Sequence, residues 1–225
     1  MARRLSFDVL VVGLVMALPA TTFAFRAGPL AGKNGSTASG GASCTDCHGS
    51  ASGSGSVALL GAPTEYAINT VYDLTVRIAD PVQDGAGFQI SVEDAAGGHR
   101  GTLIVTDVVN TQFNPADAHW VNHTAAGVDD AVANWAGMGN AAAYHLQWQA
   151  PSYDAGELTF WVAGNAIDNN FSSSGDFIYL TSQTADLDLA SIPTVSQWGL
   201  AALTIAVLSA GTVVVRRRAT ATAVA

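Results

Sequence analysis

Cysteine is nearly absent from this 225-residue chain: only Cys44 and Cys47 occur. That excludes a disulfide framework. It also speaks against a structural zinc site, which takes four ligands and usually shows a second cysteine pair. Positive charge is scarce too, with 9 Lys and Arg against 18 Asp and Glu. Between residues 25 and 191 only Arg26, Lys33, Arg77 and Arg100 face seventeen acidic residues, which leaves that body near −13. Nucleic acid and anionic lipid are thereby poor partners, while a basic redox partner is compatible. Long segments of helical period are missing outside the two termini, and no G-x-S-x-G elbow marks a serine hydrolase.

The two cysteines share one motif, Cys44-Thr45-Asp46-Cys47-His48. C-x-x-C-H is the attachment pattern of a c-type haem. Two thiols three positions apart reach two vinyl groups on one porphyrin edge, and the adjacent His48 serves as proximal iron ligand. A thioredoxin-type dithiol would need a βαβ setting, and here the motif lies in a Gly/Ser/Ala-rich stretch, 28–56. A local disulfide is the other competing reading in an oxidising compartment. We therefore expect one haem c, held by Cys44 and Cys47.

Covalent haem attachment happens outside the cytoplasm, and the N-terminus fits export. Arg3 and Arg4 precede the apolar run Val9–Leu18, and Thr22-Phe23-Ala24 is a small-x-small cleavage site. At the other end Trp198–Val215 carries no charge and is followed by Arg216-Arg217-Arg218. As a helix it would measure about 27 Å, enough to span a bilayer core, with the arginine end in the cytoplasm. The preceding residues Ile192-Pro193-Thr194-Val195-Ser196-Gln197-Trp198-Gly199 resemble the IPTL-CTERM sorting signal, with Val195 and Gln197 in place of its usual Leu and Glu. The resemblance implies a Gram-negative bacterium, an exosortase-type processing enzyme and delivery to the envelope or surface. The C-terminal helix would then hold the inner membrane only transiently.

The body alternates with period two. Leu74, Val76 and Ile78 interleave with Asp73, Thr75 and Arg77; Phe88, Ile90 and Val92 with Gln89, Ser91 and Glu93; Tyr144, Leu146 and Trp148 with His145, Gln147 and Gln149. Turn signals at Asp84-Gly85, Gly97-Gly98, Asp154-Ala155-Gly156 and Gly175-Asp176 separate such runs. The fold class expected is all-β, an antiparallel β-sandwich. A short helix fits 129–143, weakened by Gly137 and Gly139.

The order Gly87-Phe88-Gln89, Val92 and Asp94, His123-Thr124, Trp148-Gln149-Ala150-Pro151, Gly164-Asn165-Ala166 and Gly175-Asp176-Phe177-Ile178-Tyr179 resembles the choice-of-anchor V family of bacterial surface proteins. The similarity spans about residues 44–182, the haem motif included. It implies a reeler-like, immunoglobulin-like sandwich and a surface location rather than a reaction. The organisation expected is a signal peptide (1–24), a flexible arm with the haem motif (25–56), a sandwich (57–182), a linker (183–191), a sorting signal with a transmembrane helix (192–218) and a cytoplasmic tail (219–225). Within the sorting signal, Ile192, Pro193, Thr194, Trp198 and Gly199 are the residues to be read by the processing enzyme.

The distal side of the iron decides what such a centre does. His123 falls where the family resemblance has Tyr-x-x-His-Thr, with Trp120 in place of the Tyr, and is the preferred distal ligand. His119 comes next and Met138 after it; His99 reads as a turn residue and His145 as a surface one. Trp120 and Phe113 are aromatic candidates for the porphyrin face or the core. The function expected is single-electron transfer at the envelope, with a redox protein or other haem proteins as partners. The alternative is a surface or matrix interaction module whose haem is a staple or redox sensor. Peroxidase-like chemistry needs an open distal side. Export itself is directly checkable: the protein recovered from its envelope should begin at Phe25, and N-terminal sequencing that finds residues 1–24 retained would refute the cleavage site.

Overall fold

The computed structural model describes residues 25–49, 53–189, 199 and 201–210. Among these, two sheets face one another. The first has four strands: β1 (Ser56–Leu60), β3 (Val71–Ala79), β8 (Ala141–Gln149) and β5 (Thr102–Ile104), hydrogen-bonded in that order. The second has six: β2 (Glu65–Tyr66), β10 (Phe177–Leu187), β9 (Leu158–Ile167), β4 (Gly85–Asp94), β7 (Val121–His123) and β6 (Thr111–Phe113). Every pair is antiparallel except β2 with β10, which is parallel. The all-β sandwich is therefore as expected, with one mixed edge.

The alternating runs form the layer between the sheets. Leu74 pairs with Leu146 and Val76 with Tyr144, so both strands turn the same set of side chains inward. Trp148 is fully buried and meets Tyr66 and Phe160 edge-on at 5.9 and 4.9 Å. Burial of such aromatic rings drives most of the folding free energy. Helix α2 (Ala125–Asn134) leaves β7 directly, because Thr124 at its N-cap accepts from the Gly127 amide at 2.9 Å. It begins four residues before the segment expected to be helical and ends at Asn134, nine residues before that segment's end. The alanines 141–143 instead join β8, where pairing with β3 outweighs their helical preference.

The largest departure concerns the other face of β4. Simple alternation places Gln89, Ser91 and Glu93 in water, yet all three are completely buried. The Gly/Ser-rich segment covers them. Gln89 accepts from the Lys33 amide at 2.5 Å and donates to Leu30 O at 2.9 Å. Ser91 accepts from Asn34 Nδ2 at 2.8 Å, and Glu93 accepts from the Ala38 amide at 2.8 Å and from Ser91 Oγ at 2.6 Å. Asn114 Nδ2 and Gln112 Nε2 donate to Pro29 O and Ala27 O nearby. The segment expected to be a flexible arm thus lies along the sheet. Its glycines serve turns: Gly40 and Gly41 take φ of 64° and 81° within a loop closed by an Asn34–Ser43 bridge.

β10 also runs past the expected boundary at 182, because Gln183–Ala185 still pair with β9 and Asp186–Leu187 pair with β2. Of the C-terminal span, residues 201–210 are helical and exposed; among the described residues no helix is long and apolar enough to cross a membrane. The signal peptide, the linker end at 190–191, Ile192, Pro193, Thr194, Trp198 and the tail at 219–225 lie outside the described residues.

If the buried polar row holds the segment down, Glu93→Ala strands the Ala38 amide and the Ser91 hydroxyl. The expected loss is roughly 1–3 kcal/mol of unfolding free energy, with new protease cleavage within 34–43. Unchanged denaturant midpoints and an unchanged digestion pattern would sink this account.

Candidate functional site

The covered sheet face ends in a cleft that gathers the motif. One helical turn, α1 (Thr45–His48), follows Cys44, with the His48 amide bonded to Cys44 O at 3.0 Å. That turn sets Cys44 and Cys47, three positions apart, on one side. Cys44 is buried against Ala163 and Ile178, and its thiol donates to Lys33 O at 3.3 Å. Burial, then the neighbouring Cys47, pushes the Cys44 thiol up to about 12. A nucleophilic redox dithiol has the opposite tuning, a lowered thiol pKa. Both thiols are free.

His48 is anchored from behind. Its Nδ1 lies 2.6 Å from Oδ2 of Asp176, a carboxylate at 2% exposure. Asn165 Nδ2 sits 3.3 Å from Nδ1 and 3.4 Å from Nε2 of the same ring, and 3.4 Å from Asp176 Oδ2. A carboxylate on Nδ1 selects the tautomer that leaves the Nε2 lone pair for a metal.

His123 lines the same cleft, at the end of β7. It is 8% exposed, and its Nδ1 lies 2.8 Å from the Phe88 amide and 3.1 Å from Phe88 O. The Phe88 amide donates to Nδ1, which places the proton of the neutral ring on Nε2. Burial lowers the His123 pKa to about 4, although hydrogen bonds to the backbone of Phe88 and Phe25 act the other way. The ring needs Gly87: a Cβ there would stand 2.5 Å from its Cε1. The rest of the wall is largely apolar, with Phe25, Leu30, Phe88, Val128, Ile167 and Phe171. About 910 Å³ lies between the walls, counting open solvent at the mouth.

Two cations flank the opening. Arg26 pairs with Asp129 and lies over the Phe171 ring at 5.4 Å; Lys33 Nζ is 2.7 Å from Asp46 Oδ2. These are half of the four cationic residues between 25 and 191.

Other candidates lie elsewhere. His119 stacks on His99 at 4.6 Å and does not line the cleft. Met138 is exposed after α2, and His145 is exposed on β8, bonded to Thr75 Oγ1 at 3.0 Å. Trp120 is buried edge-on to His99 and Phe113 is partly exposed, both away from the cleft. Asn122, which fits a glycosylation sequon, is fully buried and donates to His123 O. Reasoning from residue chemistry missed Asp176, Asn165 and Gly87 as functional, although all three stand among the positions that carry the family resemblance.

Residues 190–219 match the family model described as the IPTL-CTERM motif, well under half of the chain. That motif implies an exported, surface-sorted protein processed by an exosortase-type enzyme. No curated protein matches the chain. Among solved structures, the Reelin-N domain of F-spondin is similar at 17% identity and a TM-score of 0.41, covering 62% of this chain and 89% of that one. The human F-spondin reeler domain (fragment 1) is similar at 17% and 0.42, covering 62% and 91%. A type II cohesin domain from the cellulosome of Acetivibrio cellulolyticus follows at 9% and 0.34, covering 60% and 96%.

The lowered His123 value has a defined consequence. The neutral ring is the form that folding favours, and the unfolded chain takes up its proton first as pH falls below 6.5. Its contribution is complete above that pH and is lost on acidification toward about 4. In chain purified without haem, moving from pH 7.5 to 4.5 should cost wild type about 2–3 kcal/mol more than His123→Gln. Equal losses in denaturant titrations would show that His123 is not the group responsible.

Proposed function

We propose that this chain is an exported, surface-sorted monohaem c-type cytochrome-like protein that passes single electrons at the envelope of a Gram-negative bacterium. The observation that carries the reading is convergence: Cys44, Cys47, His48 and His123 line one apolar cleft. When bound, the haem supplies one-electron redox chemistry that no side chain here provides. Everything else is the chain's own work.

Cys44 and Cys47 are the covalent tethers, presented together by one helical turn. Asp176 and Asn165 orient His48 and fix which of its nitrogens faces the cleft. His123 is kept neutral by burial, and a shift of its proton from Nε2 to Nδ1, where Phe88 O lies 3.1 Å away, would free Nε2 for iron. The apolar wall excludes water from both ring nitrogens. Arg26 and Lys33, each paired with a carboxylate, would have to exchange those partners to hold carboxylates on the outer edge of a ligand. The redox partner would be a protein with a complementary basic face, or another haem protein, given the acidic body. In this reading the helix after Gly199 holds the inner membrane until the exosortase-type enzyme has acted.

Absorption spectra of the oxidised and reduced protein test this. Wild type should carry covalent haem in a six-coordinate low-spin state that excludes carbon monoxide. His123→Ala should keep the covalent haem, lose the low-spin bands and bind carbon monoxide. Asp176→Asn should raise the midpoint potential. An exported protein without covalent haem would end the proposal, and a low-spin spectrum unaltered in His123→Ala would remove His123 as the distal ligand.

A further inference from the structure

Away from the cleft, the turn after β4 and the loop before β7 bring two imidazoles and a carboxylate together. His99 and His119 stack with ring centroids 4.6 Å apart and planes within 6°. Asp117 Oδ1 lies 2.7 Å from His119 Nδ1 and accepts the His119 amide at 2.9 Å. One donor atom from each of His99, Asp117 and His119 lies within 4.8 Å of the other two.

Several features of this cluster ask for a cation. His99 Nδ1 is buried with no hydrogen-bond partner, which costs free energy in any structure that leaves it so. A parallel imidazole pair is stable only while at most one ring is charged. Carboxylates stand close by: Glu93 is bridged to His99 and Asp117 touches His119, while Arg100 is engaged by Asp94 at 2.5 Å. The cluster also opens beside a hollow between the β4–β5 turn and the 114–120 loop, lined by His99, Arg100 and His119, with room for a water or outside ligand.

We propose that His99, Asp117 and His119 form a second metal site, for a borderline divalent cation such as Zn2+. Two imidazoles and a carboxylate suit Zn2+, which takes nitrogen at about 2.0–2.1 Å and carboxylate oxygen at about 2.0–2.2 Å. Donors around a tetrahedral ion stand roughly 3.3 Å apart. The side chains of His119 and Asp117 are 61% and 37% exposed, free to close that gap by rotamer changes. Three protein ligands leave the fourth position to water or to a group from outside. Such an ion would clamp the 114–120 loop onto the β4–β5 turn. The site shares no residue with the haem cleft and does not rest on the haem reading.

Calorimetric titration of the mature protein with Zn2+ is the test. Wild type should bind one equivalent at this site and melt at a higher temperature with Zn2+ present. His119→Gln changes an exposed side chain and should fold; it should weaken that equivalent at least tenfold and abolish the thermal shift. His99→Gln should do the same, and Asp117→Asn should weaken binding several-fold. Wild type that takes up no Zn2+, or His119→Gln that binds with wild-type affinity, would overturn the proposal.

Discussion

A row of polar side chains that water cannot reach must find its hydrogen bonds in the protein, and in this molecule that requirement organises the rest. Gln89, Ser91 and Glu93 alternate with core residues along β4 and stand on the sheet's outer face. They are satisfied by the backbone of Leu30, Lys33 and Ala38 and by the Asn34 side chain. The alternative is three unpaired polar groups under a cover, each costing about 1–3 kcal/mol. So the segment docks in one register. That register delivers Cys44 against Ala163 and Ile178, and His48 against Asp176. The polar row is in effect the address of the C-x-x-C-H motif on the sandwich.

The cleft then joins three separate parts of the chain. The docked segment contributes the thiols and one imidazole. β7 contributes the other imidazole through His123, seated against Gly87 of β4. β9 contributes Asn165, and the residue just before β10 is Asp176. Two histidines thus line one apolar cleft, held by different partners. One is braced by the Asp176 carboxylate and the other by the Phe88 backbone.

How much of this was legible in the sequence depends on the range of the interaction. Leu74, Val76 and Ile78 announce their strand because alternation is local, and the chemistry of Cys44, Cys47 and His48 is local too. The short strands β2, β6 and β7 have two or three residues each and carry no period of their own. Their pairing is decided by neighbours. Gln89, Ser91 and Glu93 were misread as solvated because alternation states only that a residue faces away from the core. It does not say what covers the other side. The glycines of 28–56 were read as freedom, whereas Gly40 and Gly41 use theirs to close a turn. Asp176 gave no local signal: its meaning comes from a histidine 128 positions away. His99 read as a turn residue in water for the same reason, since its partner His119 arrives from another loop.

The burial of Cys44 has a consequence for order of events. A thiol at 8% exposure, pushed up to about 12 and bonded to Lys33 O, is neither accessible nor nucleophilic in the docked state. If Cys44 carries a thioether, that bond forms before residues 30–43 settle on the sheet. Docking then follows attachment, and the hydrogen bonds of Gln89, Ser91 and Glu93 are made around a segment that already bears its ligand. On that order the apolar cleft would gain its occupant at the step in which the polar row gains its partners. Each requirement removes a defect the other would leave: an uncovered polar row without the segment, and an exposed apolar ligand without the cleft. A segment so rich in glycine and serine suits this sequence of events, because it presents its thiols freely while unfolded and still closes tight turns when docked.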